Sequence, residues 1–211
     1  MTAARLPRSF YARAAHEVAP DLLGQVLVRI FSDGSRASVR IVEVEAYGPD
    51  DPASHAFRGE TPRNAVMFGP PGHLYVYFTY GMHHCMNVVT GKAAEGSAVL
   101  LRAAEPLEGG DGMVVRRGRE GPFDLCSGPG RLAQALAIDR RDDGTDLVAS
   151  EGLWLETASR TEPIAVGNRV GVHETSRHWR YWLEGSPFVS RGRPGPPTAK
   201  RRTLRARSMT P

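Results

Sequence analysis

The segment Ile41–Tyr47 carries two glutamates separated by a single residue. On a β-strand alternate side chains share a face, so Glu43, Glu45 and Tyr47 project together. Two carboxylates about 7 Å apart raise one another's pKa, which can leave one of them poised as a general base. The alternative is that these side chains are ordinary surface residues on the solvated outer face of a sheet, and this segment taken alone favours that alternative. Glu45 nevertheless ends the strand just before a long loop, where sites are commonly built.

A second candidate is the aromatic run around Gly81. Tyr75 and Tyr77 share one strand face, and we assign Tyr75 to the core. Tyr80 and Met82 fall at a hairpin tip, where turns usually carry Asn, Asp, Gly or Pro. Exposed apolar wedges of this kind suit insertion between base steps in a minor groove, and they would equally suit a protein interface.

Polar residues also interrupt the apolar strands that follow. The run His83-His84-Cys85 superficially resembles a metal site, but adjacent strand side chains point to opposite faces and no supporting spacing is present. We therefore predict no metal there. Asn87 and Arg102 are single polar residues in apolar runs, so each is either a core hydrogen-bonding residue or a site residue. Cys126–Gly130 is interpreted as a helix cap.

The patterns that position these residues are mostly strands. A helix is predicted over Phe10–Ala19, capped by Ser9 and stopped by Pro20, and a second over Pro129–Ile138. Predicted strands are Gln25–Phe31, Ala37–Ala46, His73–Thr79, His83–Thr90, Ser97–Ala104, Gly152–Thr157, Ile164–Val172 and Tyr181–Leu183. Asp33-Gly34 predicts a type I′ hairpin turn. The strands cluster in hairpins, which indicates an α+β domain with a largely antiparallel sheet.

Length and composition indicate one globular domain. The chain has 211 residues, 41% of them hydrophobic and 24% charged. No apolar run approaches the roughly 20 residues that cross a bilayer, and the start does not resemble a signal peptide. Two cysteines cannot form a disulfide framework, so a reducing cytoplasm is expected.

The basic excess lies at the C-terminus. The whole chain has 27 basic and 23 acidic residues, and seven of the basic ones follow Ser190, so residues 1–190 carry 20 against 23. We predict a domain over residues 1–190 and a disordered basic tail over residues 191–211. The tail could bind phosphates non-specifically or could simply be solvated.

Several strings occur in order along the chain. They are Glu43-Val-Glu-Ala-Tyr-Gly-Pro, Asp51-x-x-x-His55, Thr61-Pro-Arg-Asn64, Met67-Phe68, Gly72-x-Leu-Tyr-Val-Tyr-x-x-Tyr80-Gly-Met-x-x-Cys-Met-Asn87, Leu100-Leu-Arg-Ala-x-Glu-Pro-Leu-Glu108-Gly, Leu125-Cys-Ser-Gly-Pro129, Arg169-Val-Gly-Val172 and Gly185-Ser-Pro187. Together they resemble the alkyladenine (3-methyladenine) DNA glycosylase family, over about residues 9–190.

The resemblance implies specific roles at the reacting bond and at the hairpin tip. Glu45 would be the general base that deprotonates the attacking water. Arg102 and the main-chain carbonyl of Val170 would hold that water. Tyr80 would fill the gap left in the base stack, and Met82 would support the tip.

The same resemblance implies a pocket for the extruded base. Tyr47, His55 and Tyr77 would stack on the flipped base, with His55 also hydrogen-bonding through its backbone. Asn87 would lie at the pocket edge and disfavour the exocyclic amine of guanine. A flipped base held by clustered aromatic rings fits this set.

The resemblance also implies the setting. The fold would be one α+β domain with a curved, mainly antiparallel β-sheet flanked by helices, and a hairpin projecting toward the minor groove. The partner would be double-stranded DNA with a damaged purine; we expect no cofactor, no metal and no membrane, a monomer, and a cytoplasmic, nucleoid-associated protein. Strand nicking through a Schiff base requires an amine, and the two lysines, Lys92 and Lys200, are poorly suited to it, so water is the expected nucleophile. The N-terminal amine, at the start of a polar segment, is the alternative. The alternatives are a different lesion spectrum, a non-catalytic damaged-DNA binder, and an interaction domain that uses the Tyr80 tip.

Overall fold

The computed structural model describes residues 4–173 and 176–190, and these form one α+β domain around a curved antiparallel sheet. The strands are β1 (Val26–Ile30), β2 (Arg36–Tyr47), β3 (Leu74–Thr79), β4 (His83–Thr90), β5 (Ser97–Glu108), β6 (Leu153–Glu156), β7 (Ile164–Gly167) and β8 (Arg180–Leu183). The helices are α1 (Arg8–Tyr11), α2 (Ala15–Leu22), α3 (Gly110–Arg117), α4 (Pro122–Leu125) and α5 (Pro129–Ala135), with 3₁₀ turns at Ala65–Phe68 and Arg140–Asp142. The fold class predicted from the sequence is confirmed. The predicted tail lies outside the described residues.

Strand β2 is the centre of the sheet. The sheet order is β3-β4-β5-β2-β1-β6, and β5 pairs along almost the whole length of β2. The other edge of β2 is shared, since β1 pairs with Arg36–Arg40 and β8 pairs with Glu43–Glu45. Register shifts relative to β5 occur on both sides of Glu43, at the point where the partner strand changes. The glutamate pair therefore lies where β2 is enclosed by β5 and β8.

The two faces of the sheet are covered differently. The main core lies on one face, where α2 and α5 pack on the sheet, and it includes Val42, Val44 and Val76. A smaller cluster lies on the other face, where Tyr75 packs with residues of the long segment 48–72. Successive side chains of β2 and β3 therefore point alternately into the main core and toward the face that segment 48–72 covers.

The predicted N-terminal helix is wrong as a single element. The chain forms two short helices, α1 and α2, and Pro20 lies inside α2. The break has an identifiable partner, because the backbone N–H of Gly91 donates to the carbonyls of Tyr11 (3.1 Å) and Arg13 (2.8 Å). A continuous helix would need those carbonyls for its own ladder. Ser9 caps neither helix, and the N–H of Ala14 instead donates to the Glu17 carboxylate at 3.2 Å.

The first hairpin is confirmed, but its type I′ turn is wrong. Five residues separate the paired Ile30 and Arg36, and of the central pair only Gly34 has a positive φ. The Asp33 carboxylate accepts hydrogen bonds from the N–H and hydroxyl of Ser35, at 2.9 and 2.6 Å. A type I′ turn requires a positive φ at both central residues. Here the Asp33 side chain stabilises the turn through these hydrogen bonds, and Asp33 itself does not adopt a positive φ.

Other boundaries differ in length. Strand β5 runs on to Glu108, β7 ends at Gly167, and α5 ends at Ala135, before the predicted end at Ile138. Residues 109–125, to which the sequence analysis assigned no element, contain α3 and α4. None of the helices in residues 4–173 and 176–190 could span a bilayer.

Candidate active site

Glu45 is a buried carboxylate with three donors. Its Oε2 accepts from the Tyr47 hydroxyl (2.9 Å) and from Arg102 Nη1 (3.2 Å), while its Oε1 accepts from the backbone N–H of Val170 (2.6 Å). The side chain has no exposed surface. The solvated outer face, which the local pattern had favoured, is therefore wrong. Both oxygens are instead fixed by groups from three separate segments.

Val170 contacts Glu45 through its amide. Its carbonyl was predicted to hold the attacking water, and that role stays a prediction. The segment is held by the preceding residue, Arg169, which forms a two-nitrogen pair with Asp51 and also donates to the carbonyl of Ala46 at 3.0 Å. Both side chains of the pair are wholly buried.

Glu43 lies two residues before Glu45 and has different partners. It accepts from Arg102 Nε (2.9 Å), Arg180 Nε (2.7 Å), and the N–H and hydroxyl of Ser190 (2.7 and 2.9 Å). Arg102 thus bridges the two carboxylates. Burial opposes the charge of Arg102, but Glu45 and Glu43 outweigh it and raise the pKa of Arg102, so this side chain stays a cation.

An aromatic cavity with a volume of about 60 Å³ lies beside Tyr47, the residue whose hydroxyl contacts Glu45. It is lined by Tyr47, Ala53, His55, Met67, Tyr75, Tyr77 and Asn87. The four residues predicted to form the base pocket therefore meet in one place. Tyr47 connects the cavity to the carboxylate, because its ring lines the cavity and its hydroxyl donates to Glu45.

Rings form the walls of this cavity. Tyr75 and Tyr77 stack with centroids 5.6 Å apart, and the ring of His55 meets Tyr77 edge-on at 4.6 Å. Tyr75 hydroxyl and His55 Nδ1 share a hydrogen bond of 3.0 Å. The sequence analysis assigned Tyr75 to the core alone. The structure gives it both roles, because it is buried and also lines the cavity.

The histidine in the cavity is biased toward its neutral form. Burial lowers the pKa of His55 below its usual value, and the nearby Arg63 lowers it further. Burial raises the pKa of Tyr75 to about 12, so its hydroxyl keeps its proton at neutral pH. The cavity wall therefore has hydrogen-bonding groups without a positive charge of its own.

Asn64 holds the loop that carries His55, a role that the sequence analysis did not assign. Its amide nitrogen donates to the carbonyls of His55 (2.8 Å) and Gly59 (3.2 Å). Its amide oxygen accepts from the N–H and hydroxyl of Thr61, at 2.6 and 2.9 Å. The Thr61–Asn64 motif had marked this asparagine, but a motif alone does not reveal its partners.

The predicted hairpin tip projects from the end of β3 and β4. Tyr80 and Gly81 both have positive φ, at 52° and 67°, and the N–H of Met82 donates to the carbonyl of Thr79 at 3.2 Å. Tyr80 is 89% exposed and Met82 is 68% exposed. The exposed apolar tip is therefore confirmed, and neither side chain lines the cavity.

In residues 4–173 and 176–190 there is no group of three or more His, Cys, Asp or Glu that could hold a metal ion.

Comparison with known proteins gives a consistent result. A family model for methylpurine-DNA glycosylase (MPG) matches residues 9–187. A curated protein of Streptomyces avermitilis is 50% identical over 204 residues, which cover 93% of this chain and 95% of the relative. Relatives from Rhodopseudomonas palustris (50% over 188 residues; 89% and 91% covered) and Carboxydothermus hydrogenoformans (47% over 189 residues; 88% and 98% covered) are similar. All three are named as 3-methyladenine DNA glycosylases.

Proposed function

We propose that this chain, which belongs to the methylpurine-DNA glycosylase family, flips a damaged purine out of duplex DNA and cleaves it off with water activated by Glu45. The chain is a DNA-repair glycosylase for alkylated purines, a hydrolase of N-glycosyl bonds. One observation carries the finer proposal. Glu45 lies directly behind the wall of an aromatic cavity, joined to it by the Tyr47 hydroxyl at 2.9 Å.

The chemistry needs a carboxylate at this position. Cleavage of an N-glycosidic bond passes through an oxocarbenium-like state, so one carboxylate can both take a proton from water and stabilise the cation. Glu45 has three donors that fix its orientation, which favours a base that is already aligned. Arg102, held beside it as a cation, would orient the water together with the Val170 backbone.

The cavity suits a flipped purine. A base that has left the stack is held by stacking and by contacts to its edges. Tyr47, Tyr77 and His55 offer ring faces and edges, and alkylated purines that carry positive charge gain cation–π attraction there. A neutral His55 would not repel such a cation.

Two edge contacts complete the base pocket. In the described part of the chain the backbone N–H of His55 donates to no other group, which leaves it available to the edge of the base. Asn87, whose amide donates to the Tyr75 carbonyl at 3.2 Å, would lie at the pocket edge and disfavour the exocyclic amine of guanine.

The tip and the lysines support the rest of the proposal. Tyr80 would enter the minor groove and fill the space that the flipped nucleotide leaves, with Met82 supporting it. Lys92 lies in a turn where its backbone N–H donates to Glu95, and it is not among the residues that line the cavity. Because no lysine of the described residues lines the cavity, we infer that water is the nucleophile and that the product is an intact strand with an abasic site.

The test is single-turnover excision on duplexes that carry one hypoxanthine, one ethenoadenine or one methylated purine, with EDTA present. Wild type should release free base and leave the strand unnicked. Glu45→Gln should still bind the lesion duplex but lose excision by about 10² or more, because the base is gone. The matched control is Glu151→Gln, on an exposed loop, which should behave as wild type.

Two results would contradict the proposal. Near-normal turnover by Glu45→Gln would remove Glu45 as the base. A folded wild-type protein that binds damaged DNA but excises no lesion would be a damage-recognition protein with the residues of a glycosylase.

A further inference from the structure

We propose that Ser190 is a positioning residue of the active site: with Glu43 it fixes the guanidinium of Arg102 against the catalytic carboxylate. We call the contacts of Glu43 with Ser190 the Glu43–Ser190 anchor. This inference rests on the proposed role of Glu45 as the base.

The first step concerns which glutamate can do chemistry. Glu43 is wholly buried and receives four donors, from Arg102, Arg180, and the N–H and hydroxyl of Ser190. Three of these donors share Oε1 of Glu43, and the N–H of Ser190 reaches Oε2. None of them belongs to a residue that lines the aromatic cavity, whereas Glu45 accepts from the cavity residue Tyr47. Glu45 is therefore the carboxylate placed to act on a base in the cavity, and Glu43 is placed to hold Arg102.

The second step concerns Arg102. Each of its three nitrogens has a different acceptor: Nε donates to Glu43, Nη1 donates to Glu45 at 3.2 Å, and Nη2 donates to the Ser190 hydroxyl at 3.3 Å. A guanidinium is a rigid planar fork, so two fixed nitrogens determine where the third points. The nitrogen that meets Glu45 is thus oriented by the other two.

The third step concerns Ser190 itself. It is buried, and its hydroxyl lies between the two charged partners, donating to Glu43 at 2.9 Å while accepting from Arg102. Its N–H adds a second bond to Glu43 at 2.7 Å. Removing the hydroxyl leaves all four charges of Glu43, Glu45, Arg102 and Arg180 in place but frees one nitrogen of Arg102. The change is therefore one of alignment.

The experiment compares Ser190→Ala with Ser190→Thr and with the control Ser186→Ala, which removes a serine hydroxyl four residues earlier in the same segment. Ser190→Ala should slow single-turnover excision by about 10- to 100-fold, the range expected for misalignment of a catalytic group. Its Kd for the lesion duplex should stay within about twofold of wild type, because Ser190 is not among the residues that line the cavity. Ser190→Thr, which keeps a hydroxyl, should recover most of the rate, and Ser186→Ala should match wild type.

A second variant tests whether Glu43 and Ser190 both act through the guanidinium of Arg102. Glu43→Gln should also slow excision, and the double variant with Ser190→Ala should lose less than the product of the two single effects, because both act through Arg102. Excision by Ser190→Ala as fast as by Ser186→Ala, alongside an inactive Glu45→Gln, would overturn the positioning role and leave the base at Glu45. An active Glu45→Gln would overturn the proposed function instead. Equal losses of rate in Ser190→Ala and Ser190→Thr would also overturn the positioning role of Ser190, because they would show that side-chain packing matters there and the hydroxyl does not.

Discussion

Removing one partner of the buried pair between Asp51 and Arg169 should strongly destabilise the protein. Arg169 Nη1 and Nη2 donate to the two carboxylate oxygens of Asp51, and neither side chain has exposed surface. Asp51 Oδ1 also accepts from the N–H of Ala53 at 3.0 Å, which lies in the cavity wall. The guanidinium of Arg169 lies 4.7 Å above the ring of Tyr47. Asp51→Ala therefore removes the partner of a buried cation and loosens the cavity at the same time.

The magnitude follows from burial. Breaking a buried ion pair by removing one partner destabilises a protein by about 3–5 kcal/mol, because a charge is left without compensation. A domain of this size has a total stability of about 5–15 kcal/mol, so the loss is a large fraction of it. The control is the pair of Arg13 with Asp21, whose side chains are 39% and 50% exposed. Removing an exposed pair of that kind changes stability by about 0–1 kcal/mol.

The assay is urea unfolding of wild type, Asp51→Ala and Asp21→Ala, followed by circular dichroism, with the midpoint converted through a common m-value. Asp51→Ala should lose at least about 3 kcal/mol and Asp21→Ala less than about 1 kcal/mol. The double variant Asp51→Ala with Arg169→Met should lose less than the sum of the single variants, since no unpaired charge remains. A loss for Asp51→Ala that equals the loss for Asp21→Ala would refute the reasoning that burial sets the strength of this pair.

Two further predictions concern exposed and buried side chains. Tyr80→Ala should weaken binding to a lesion duplex by about 1–3 kcal/mol, the scale of stacking between a base and an aromatic ring, without abolishing excision; unchanged binding in a titration would refute the wedge role. Burial raises the pKa of Cys126 to about 12 and also raises the pKa of Cys85. Both thiols should therefore react with Ellman's reagent far more slowly in the native protein than in urea. Rapid labelling of the native protein would contradict this prediction, because it would show that the thiols are accessible.

The strands were predictable because their signal is local. β-Branched residues and alternation mark β2, β3 and β4, and the structure forms each of them with small differences at the ends. The N-terminal helix was not predictable, because its break depends on the N–H of Gly91, nearly eighty residues away. In the same way the helical segment at residues 109–125 has a partner outside it, since Arg116 Nε donates to the Ala135 carbonyl.

The site was predictable in its residues but not in its partners. The resemblance carried Tyr47, His55, Tyr77 and Asn87 to one cavity, and the structure brings them together. The roles of Asp51, Asn64 and Ser190 were missed, because each is defined by a distant contact that no local pattern encodes. Tyr75 was assigned to the core because strand alternation distinguishes faces, and it cannot tell whether a buried face borders a cavity.

The two glutamates of β2 show why local pattern could not distinguish them. They share one strand and one face, and both are wholly buried and paired with Arg102. What separates them is the segment that reaches each one. Ser190 closes over Glu43 with two bonds, and the Val170 segment, fixed by the buried pair of Arg169 with Asp51, reaches Glu45 with one. Asp51 also accepts from the N–H of Ala53 in the wall of the aromatic cavity. One residue therefore both anchors the segment that reaches Glu45 and helps to shape the cavity beside it.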